Sequence, residues 1–295
     1  MNIRTIHIKQ ILLVVFVILC SKNDLSSQGT DLSPGKQNHL FIGLNISPSQ
    51  TSILPSWSST VEKLNSTKGN SIFGGLEAGY FFSRYFGLST GIGYSQYTSD
   101  LTLDKYNTDY DTTDSDVPSD NYKRYITGSD IKEIQKITFL NIPFAANIII
   151  PFNETFGLYL QAGINVLIPM KKLYSSEGTF TYKGYYPVYN VLISDIPYEG
   201  FKTDYSNSDE GSLVIKSLNA ELAASGGVSL TFQNKVNISL GVIYNKLISD
   251  LSGYTQSNKY RLSSVPDQMR SLMEGSTKTS ASSMGLRISL KYYLK

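Results

Sequence analysis

The sequence predicts an all-β chain: an eight-stranded antiparallel transmembrane β-barrel, an up-and-down meander with four long external loops and short periplasmic turns. Three observations lead there. Eight stretches alternate aliphatic or aromatic side chains with glycine, serine, asparagine and glutamine, the period-two signature of a strand. Their apolar faces are long enough for the roughly 25 Å lipid band of an outer-membrane strand and carry phenylalanine or tyrosine near their ends. The connections alternate between tight turns and long polar segments, as in barrels with short periplasmic turns and longer external loops.

Ahead of the first strand, Arg4 and Lys9 precede the apolar run Ile11–Cys20. That run is too short to cross a bilayer as a helix, which needs about 20 residues. It reads as a secretory signal peptide over 1–27, leaving 28–295 as the barrel domain. Cys20 is the only cysteine and falls inside the signal, so the mature chain is expected to have no disulfide. Lipidation of Cys20 is the alternative, opposed by Leu19 where a small residue is expected. The signal holds three of the 26 basic residues and one of the 24 acidic ones, so the remainder has 23 of each. Nucleic-acid binding, which needs a basic surplus, is not expected.

His39 to Ser47 is the first strand, with Leu40, Ile42, Leu44 and Ile46 on one face. The hairpin Ser71–Tyr97 supplies the second and third, turning at Ser83 and Arg84. Leu76, Ala78 and Tyr80, then Leu88, Ile92 and Tyr94, share its apolar face. The segment 99–134 reads as a loop, and Gln135–Ile150 as strand four. Phe156–Pro169 is strand five, and a long loop rich in tyrosine and glycine, expected to contain extended segments that rise above the membrane, runs from Lys171 to about Ile215. Leu218–Phe232, Val236–Leu247 and Ser282–Leu294 complete the eight, with a last loop at 250–280. A soluble barrel would also alternate, with its aliphatic face inward. The run length and the aromatic residues Phe82, Phe86, Phe156, Phe232 and Tyr292 at the short-turn end, with Tyr94 and Tyr244 at the other, favour a lipid-facing surface and the cell outer membrane.

The strings GGLEAGYFFSRYFGLSTGIGYSQY, ITFLNIPFAANIIIPF, FGLYLQAGINVLIPMKK and GLRISLKYYLK resemble the PorT-like family of outer-membrane β-barrel proteins. The resemblance implies a small eight-stranded barrel of OmpA/OmpX-like architecture. One branch of such proteins is associated with type IX secretion machinery, so the resemblance also implies an accessory role in such a complex as an alternative. The chain ends in Lys295, where many such barrels end in an aromatic residue.

No enzyme, cofactor or metal is expected. The mature chain has one histidine, His39, placed at the periplasmic start of a strand, and no cysteine, which leaves zinc without its usual ligands. The alternation turns Glu77 and Arg287 inward at similar heights, with strand one between them. They are expected to form a structural ion-pair network, joined by Glu221 or Lys291, in a filled polar interior. A narrow pore, or an enzyme modifying outer-leaflet lipid, is the competing reading. In the loop 99–134, eight aspartates and Glu133 face four basic residues. Asp109, Asp111, Asp114 and Asp116 there lack the glycine and closing glutamate of a calcium loop, so a solvated acidic loop is expected. Tyr182, Tyr185, Tyr186 and Tyr189 are candidates for a binding surface. The function expected is therefore a non-catalytic barrel whose loops bind or support envelope assembly. Its expected partners are outer-membrane lipid and lipopolysaccharide, with a protein of an envelope or secretion complex as a further candidate.

Overall fold

A computed structural model describes residues 40–57, 64–113, 121–233, 235–255 and 260–294. Residues 1–27, His39, Asp114 and Asp116, on which expectations were placed, lie outside the described residues. The elements are β1 (Leu40–Ser56), β2 (Leu64–Phe81), β3 (Phe86–Thr113), β4 (Asn121–Pro151), β5 (Phe156–Tyr186), β6 (Val191–Ile193), β7 (Tyr205–Ser212), β8 (Asn219–Phe232), β9 (Val236–Leu247) and β10 (Lys278–Tyr293). All pairings are antiparallel. Each of β1 to β5 pairs with the next, β5 passes to β8, and β8, β9 and β10 follow before β10 returns to β1 from Phe41↔Tyr293 to Ser56↔Lys278. Eight strands thus close a ring. The edge of β5 that β8 occupies at 156–167 is taken higher up by β7 at 173–180 and by β6 at 184–186.

The tight turns are capped by side chains. Ser83 Oγ accepts the amides of Tyr85 and Phe86 (3.3 and 3.0 Å), and Asn153 Oδ1 accepts those of Thr155 and Phe156 (2.9 and 2.6 Å). Such local acceptors are why serine and asparagine favour turns.

Above the ring's lower part the structure departs from the expectation. Residues 99–113 and 121–134, read as part of a loop, are strand, and 171–186 continues β5 as one of the extended segments expected there. β3 and β4 remain paired from Phe86↔Ile148 to Thr113↔Asn121, and β5 follows β4 as far as Lys123↔Tyr185. At about 3.3 Å per residue, the 31-residue β4 is on the order of 100 Å long, far more than a tilted strand needs to cross about 25 Å of hydrocarbon.

The reason is an inversion of the apolar face. In the lower part the outward side chains Leu44, Leu76, Leu88, Phe144, Ile164, Leu240 and Ile288 are exposed, as lipid contact requires. In the upper part Leu101, Leu103, Ile126, Ile131, Phe180 and Tyr182 point inward and are buried, so the extension packs like a water-soluble sheet. Bulges at Lys68/Ile72, Ser129/Lys132 and Thr138/Phe139 interrupt the register on the way up. The interior is therefore mainly polar within the lipid-facing part and mainly apolar above it, where Glu133, Gln135 and Arg124 are buried polar exceptions. The described parts of the last connection, 248–255 and 260–277, fold back into the mouth. Their Leu262, Met269, Leu272 and Met273 are buried among the strands, forming a cap.

Amide exchange separates a paired extension from a solvated loop. The amides of Leu103 and Ile126 should exchange at least about a hundredfold slower than free peptide in the detergent-solubilised protein, an opening free energy of about 3 kcal/mol, whereas rates near those of free peptide would exclude the pairing.

Candidate functional site

Among the described residues, charged, polar and aromatic side chains from the eight strands of the ring converge in the lumen. At the short-turn end Phe41 of β1, Phe81 of β2 and Tyr293 of β10 make a three-ring floor, with centroids 5.5 to 6.1 Å apart. Directly above, Glu77 of β2 is almost fully buried between two cations of β10. Arg287 Nη2 donates to Oε2 at 3.0 Å, and Lys291 Nζ stands 3.1 Å from Oε1. Lys291 also donates to Asn147 Oδ1 (3.2 Å) and lies 4.7 Å over the ring of Phe41. Gln161 and Ser89 extend the network through Asn147.

Gly43 of β1 is what allows this contact across a strand. It pairs with Glu77 on one side and Lys291 on the other, and a Cβ there would stand 3.3 Å from Glu77 Cγ, 3.2 Å from Lys291 Cγ and 2.9 Å from the Leu290 carbonyl oxygen. Glycine is thus required by close approach.

Above the triad a cavity of about 60 Å³ is lined by Asn45, Ser47, Ser89, Gln161 and Arg287 among others. Its polarity and size suit a few waters at about 10–15 Å³ each. Ser225 Oγ, Asn141 Oδ1 and Asn245 Oδ1, which also line it, have no protein partner. Glu221 does not join the ion pairs. It sits higher, on β8, where the Tyr97 hydroxyl donates to it and Asn165 Nδ2 donates to Oε1 at 2.7 Å. Sharing an inward face with Glu77 fixes the side of the sheet, not the height.

Over that level Ile53, Phe73, Ile137, Phe139, Leu167 and Met273 fill the lumen. The cap then closes on Glu133, which the sequence reading missed as an anchor. It is fully buried on β4 and accepts hydrogen bonds from Gln135 Nε2 (2.5 Å), Ser176 Oγ (2.8 Å), Ser271 Oγ (2.9 Å) and the Leu272 amide (2.6 Å). Trp57, the only tryptophan, donates from Nε1 to the Leu272 carbonyl at 2.9 Å and packs edge-on against Tyr260 of the cap. The signal for Glu133 was present: Ile131, Glu133, Gln135 and Ile137 alternate with Lys132, Ile134 and Lys136.

The family model described as "Outer membrane protein beta-barrel domain" matches residues 27–213, more than half of the chain. The chain belongs to that family. It is an integral β-barrel protein of the outer membrane, so its short turns face the periplasm and its extension and cap lie outside the cell. Among solved structures it is similar to Neisserial surface protein A (12% identity, covering 86% of this chain and 97% of that one, TM-score 0.36). It is also similar to Ail, the attachment invasion locus protein of Yersinia pestis (10%, 86% and 99%, 0.30), and to OprG from Pseudomonas aeruginosa (13%, 88% and 99%, 0.28). No curated protein matches it significantly.

The four tyrosines singled out in the sequence do not form one surface on this barrel. Tyr182 is fully buried, because β5 turns its even-numbered positions inward in the extension; its hydroxyl is 2.7 Å from Ser263 Oγ of the cap. Tyr186 stacks on Tyr122 at 5.0 Å. Tyr185 donates to Asn190 Oδ1 (2.9 Å), and Tyr189 is exposed in the turn beyond β5. Asp109 pairs with Lys123 at 2.7 Å on the outside of the extension. Among the described residues no group of three or more His, Cys, Asp or Glu side chains is gathered for a metal.

Removing Glu77 leaves two buried cations facing one another. Glu77→Ala should cost about 3–5 kcal/mol, the usual penalty for breaking a buried pair, read as the urea midpoint of the folded protein in micelles. Replacing Glu77, Arg287 and Lys291 together by methionine should recover most of that loss.

Burial raises the Glu133 carboxyl above its ordinary 4.5, against the pull of its four hydrogen bonds. The native state then binds the proton more tightly than an undocked one. Docking is accordingly strongest at or below pH 4.5 and weakens as pH rises from there through the raised value. Trp57 fluorescence should report a less buried indole at pH 8 than at pH 5, and Glu133→Gln should remove the dependence.

Proposed function

We propose that this protein is a sealed, non-catalytic outer-membrane barrel whose rigid extracellular extension serves for binding outside the cell or for supporting the envelope. The observation that carries this reading is the filling of the lumen at successive heights: the aromatic floor, the Glu77–Arg287–Lys291 triad, the apolar cluster around Phe139 and the cap held by Glu133. Eight strands leave an interior just wide enough for side chains to fill. The buried carboxylates Glu77, Glu133 and Glu221 are each engaged by structural partners, which favours a scaffold over a catalyst. Residues 1–27 serve in this reading as the removable export signal.

An accessory role in a secretion complex is the second reading. Its support is the PorT-like strings in β2 to β5 and β10, among them the isoleucine-rich outward face of β4.

Two measurements test the reading. Purified protein in planar bilayers should show no steady ohmic conductance, and such conductance would overturn the sealed lumen. Affinity purification from native outer membranes should recover the barrel without a stoichiometric partner; a stoichiometric complex would favour the secretion role.

A further inference from the structure

We propose that the outward face of β4 and β5 at Lys136 and Lys171 binds the phosphorylated headgroup of an outer-leaflet glycolipid. The starting point is the bulge at Thr138/Phe139. Phe139 pairs with Pro169 and Thr138 with Lys171, so Met170 is an extra residue on β5. A proline is tolerated at such a site, and an extra residue re-aims the side chains that follow it.

Below the bulge the even positions of β5, Leu158 to Ile168, face lipid. Above it the odd positions, Lys171, Leu173 and Ser175, face out, while Ser176 and Phe180 are buried. The switch falls just above Leu140↔Ile168, the last opposed pair on these two strands in which both outward side chains are apolar. Lys171 is one residue past the bulge and is exposed, the first cation on this face of β5 above that pair.

Lys136 faces the same way from β4. It is opposite Leu173, and Lys171 is opposite Thr138, so the two lysines are diagonal neighbours on one face, about 7–8 Å apart at their backbones. Two long flexible ammonium side chains at that spacing can close on one phosphate. Neither makes an ion pair among the described residues.

The apolar side chains around them are exposed too: Met170 is 63% exposed, Leu173 52% and Ile134 55%. A surface with unpaired cations set among exposed apolar side chains, continuous with a lipid-facing wall, matches an amphiphile with a charged head above acyl chains. Carboxylates also stand in this zone: Asp100 of β3 is opposite Ile134 and Thr67, and Glu210 of β7 accepts from Ser175 Oγ at 3.1 Å, and neither makes an ion pair with Lys136 or Lys171.

The test uses the full protein in detergent micelles and native mass spectrometry. The probes are bisphosphorylated lipid A and the same lipid chemically dephosphorylated. Wild-type protein should retain the phosphorylated lipid at least about tenfold more tightly, and this preference should fall with added salt, as for exposed charges. Lys136→Gln with Lys171→Gln should lose that preference, while Lys136→Arg with Lys171→Arg should keep it. Lys183→Gln, in the upper extension, should have no effect. Heat-modifiable electrophoretic mobility verifies that each variant is folded. The proposal is overturned if wild type holds both lipids equally, if the double glutamine variant retains the preference, or if inorganic phosphate at the same phosphate concentration displaces the lipid. The last outcome would identify a free-anion site.

Discussion

Hydrocarbon offers no hydrogen bonds to a backbone, so every strand crossing it must find partners on both edges. The pairing of β1 with β10 from Phe41↔Tyr293 to Ser56↔Lys278 meets that demand, and everything inside the ring follows from it. A ring of eight is too narrow to be left empty and too wide for its walls to touch. The inward residues must therefore fill it while remaining small or polar on strands whose other face is greasy. Glu77, Arg287 and Lys291 do so at the cost of removing three charges from water, and the arrangement is stable only because each charge is met. Gly43 shows how backbone and side chain share one volume: the absence of a Cβ in β1 is what lets β2 and β10 touch.

The same chain solves a second problem with the opposite answer. Outside the membrane water surrounds the extension, so its apolar side chains turn inward, and Leu101, Ile126 and Phe180 form a core of the kind found in soluble sheets. A shift of phase on β5 at the bulge after Pro169 marks the change of solvent along one strand. The cap completes this core, with a buried carboxylate as its anchor.

The lipid-facing part was legible because its alternation is uninterrupted: Leu88 to Tyr94, Phe156 to Ile168 and Met284 to Leu294 each read as one face. The first tight turn was legible from Ser83 and Arg84. The extension of β3 and β4 was not, although extended segments were expected after Lys171. Its outward side is aspartate, threonine and lysine, the composition of a loop, and the bulges at Lys68, Ser129 and Thr138 break the period before it resumes. Among interior charges, parity gave the correct face for Glu77, Arg287, Lys291 and Glu221. Height depends on strand tilt and stagger, which parity does not contain, and Glu221 stands a level above the rest. Glu133 went unnoticed as an anchor because its donors at Ser271 and Leu272 are 138 and 139 residues away in sequence.

The cap lies between the last two strands, and its tie to Trp57 spans 215 residues. Contacts of such separation form late, since the chain between them must be ordered first. The cap cannot dock on Trp57 and Glu133 until those strands stand side by side, which places its closure near the end of assembly. The wall is therefore complete while its outer mouth is still open, and the cap is the last part of the interior to find its place.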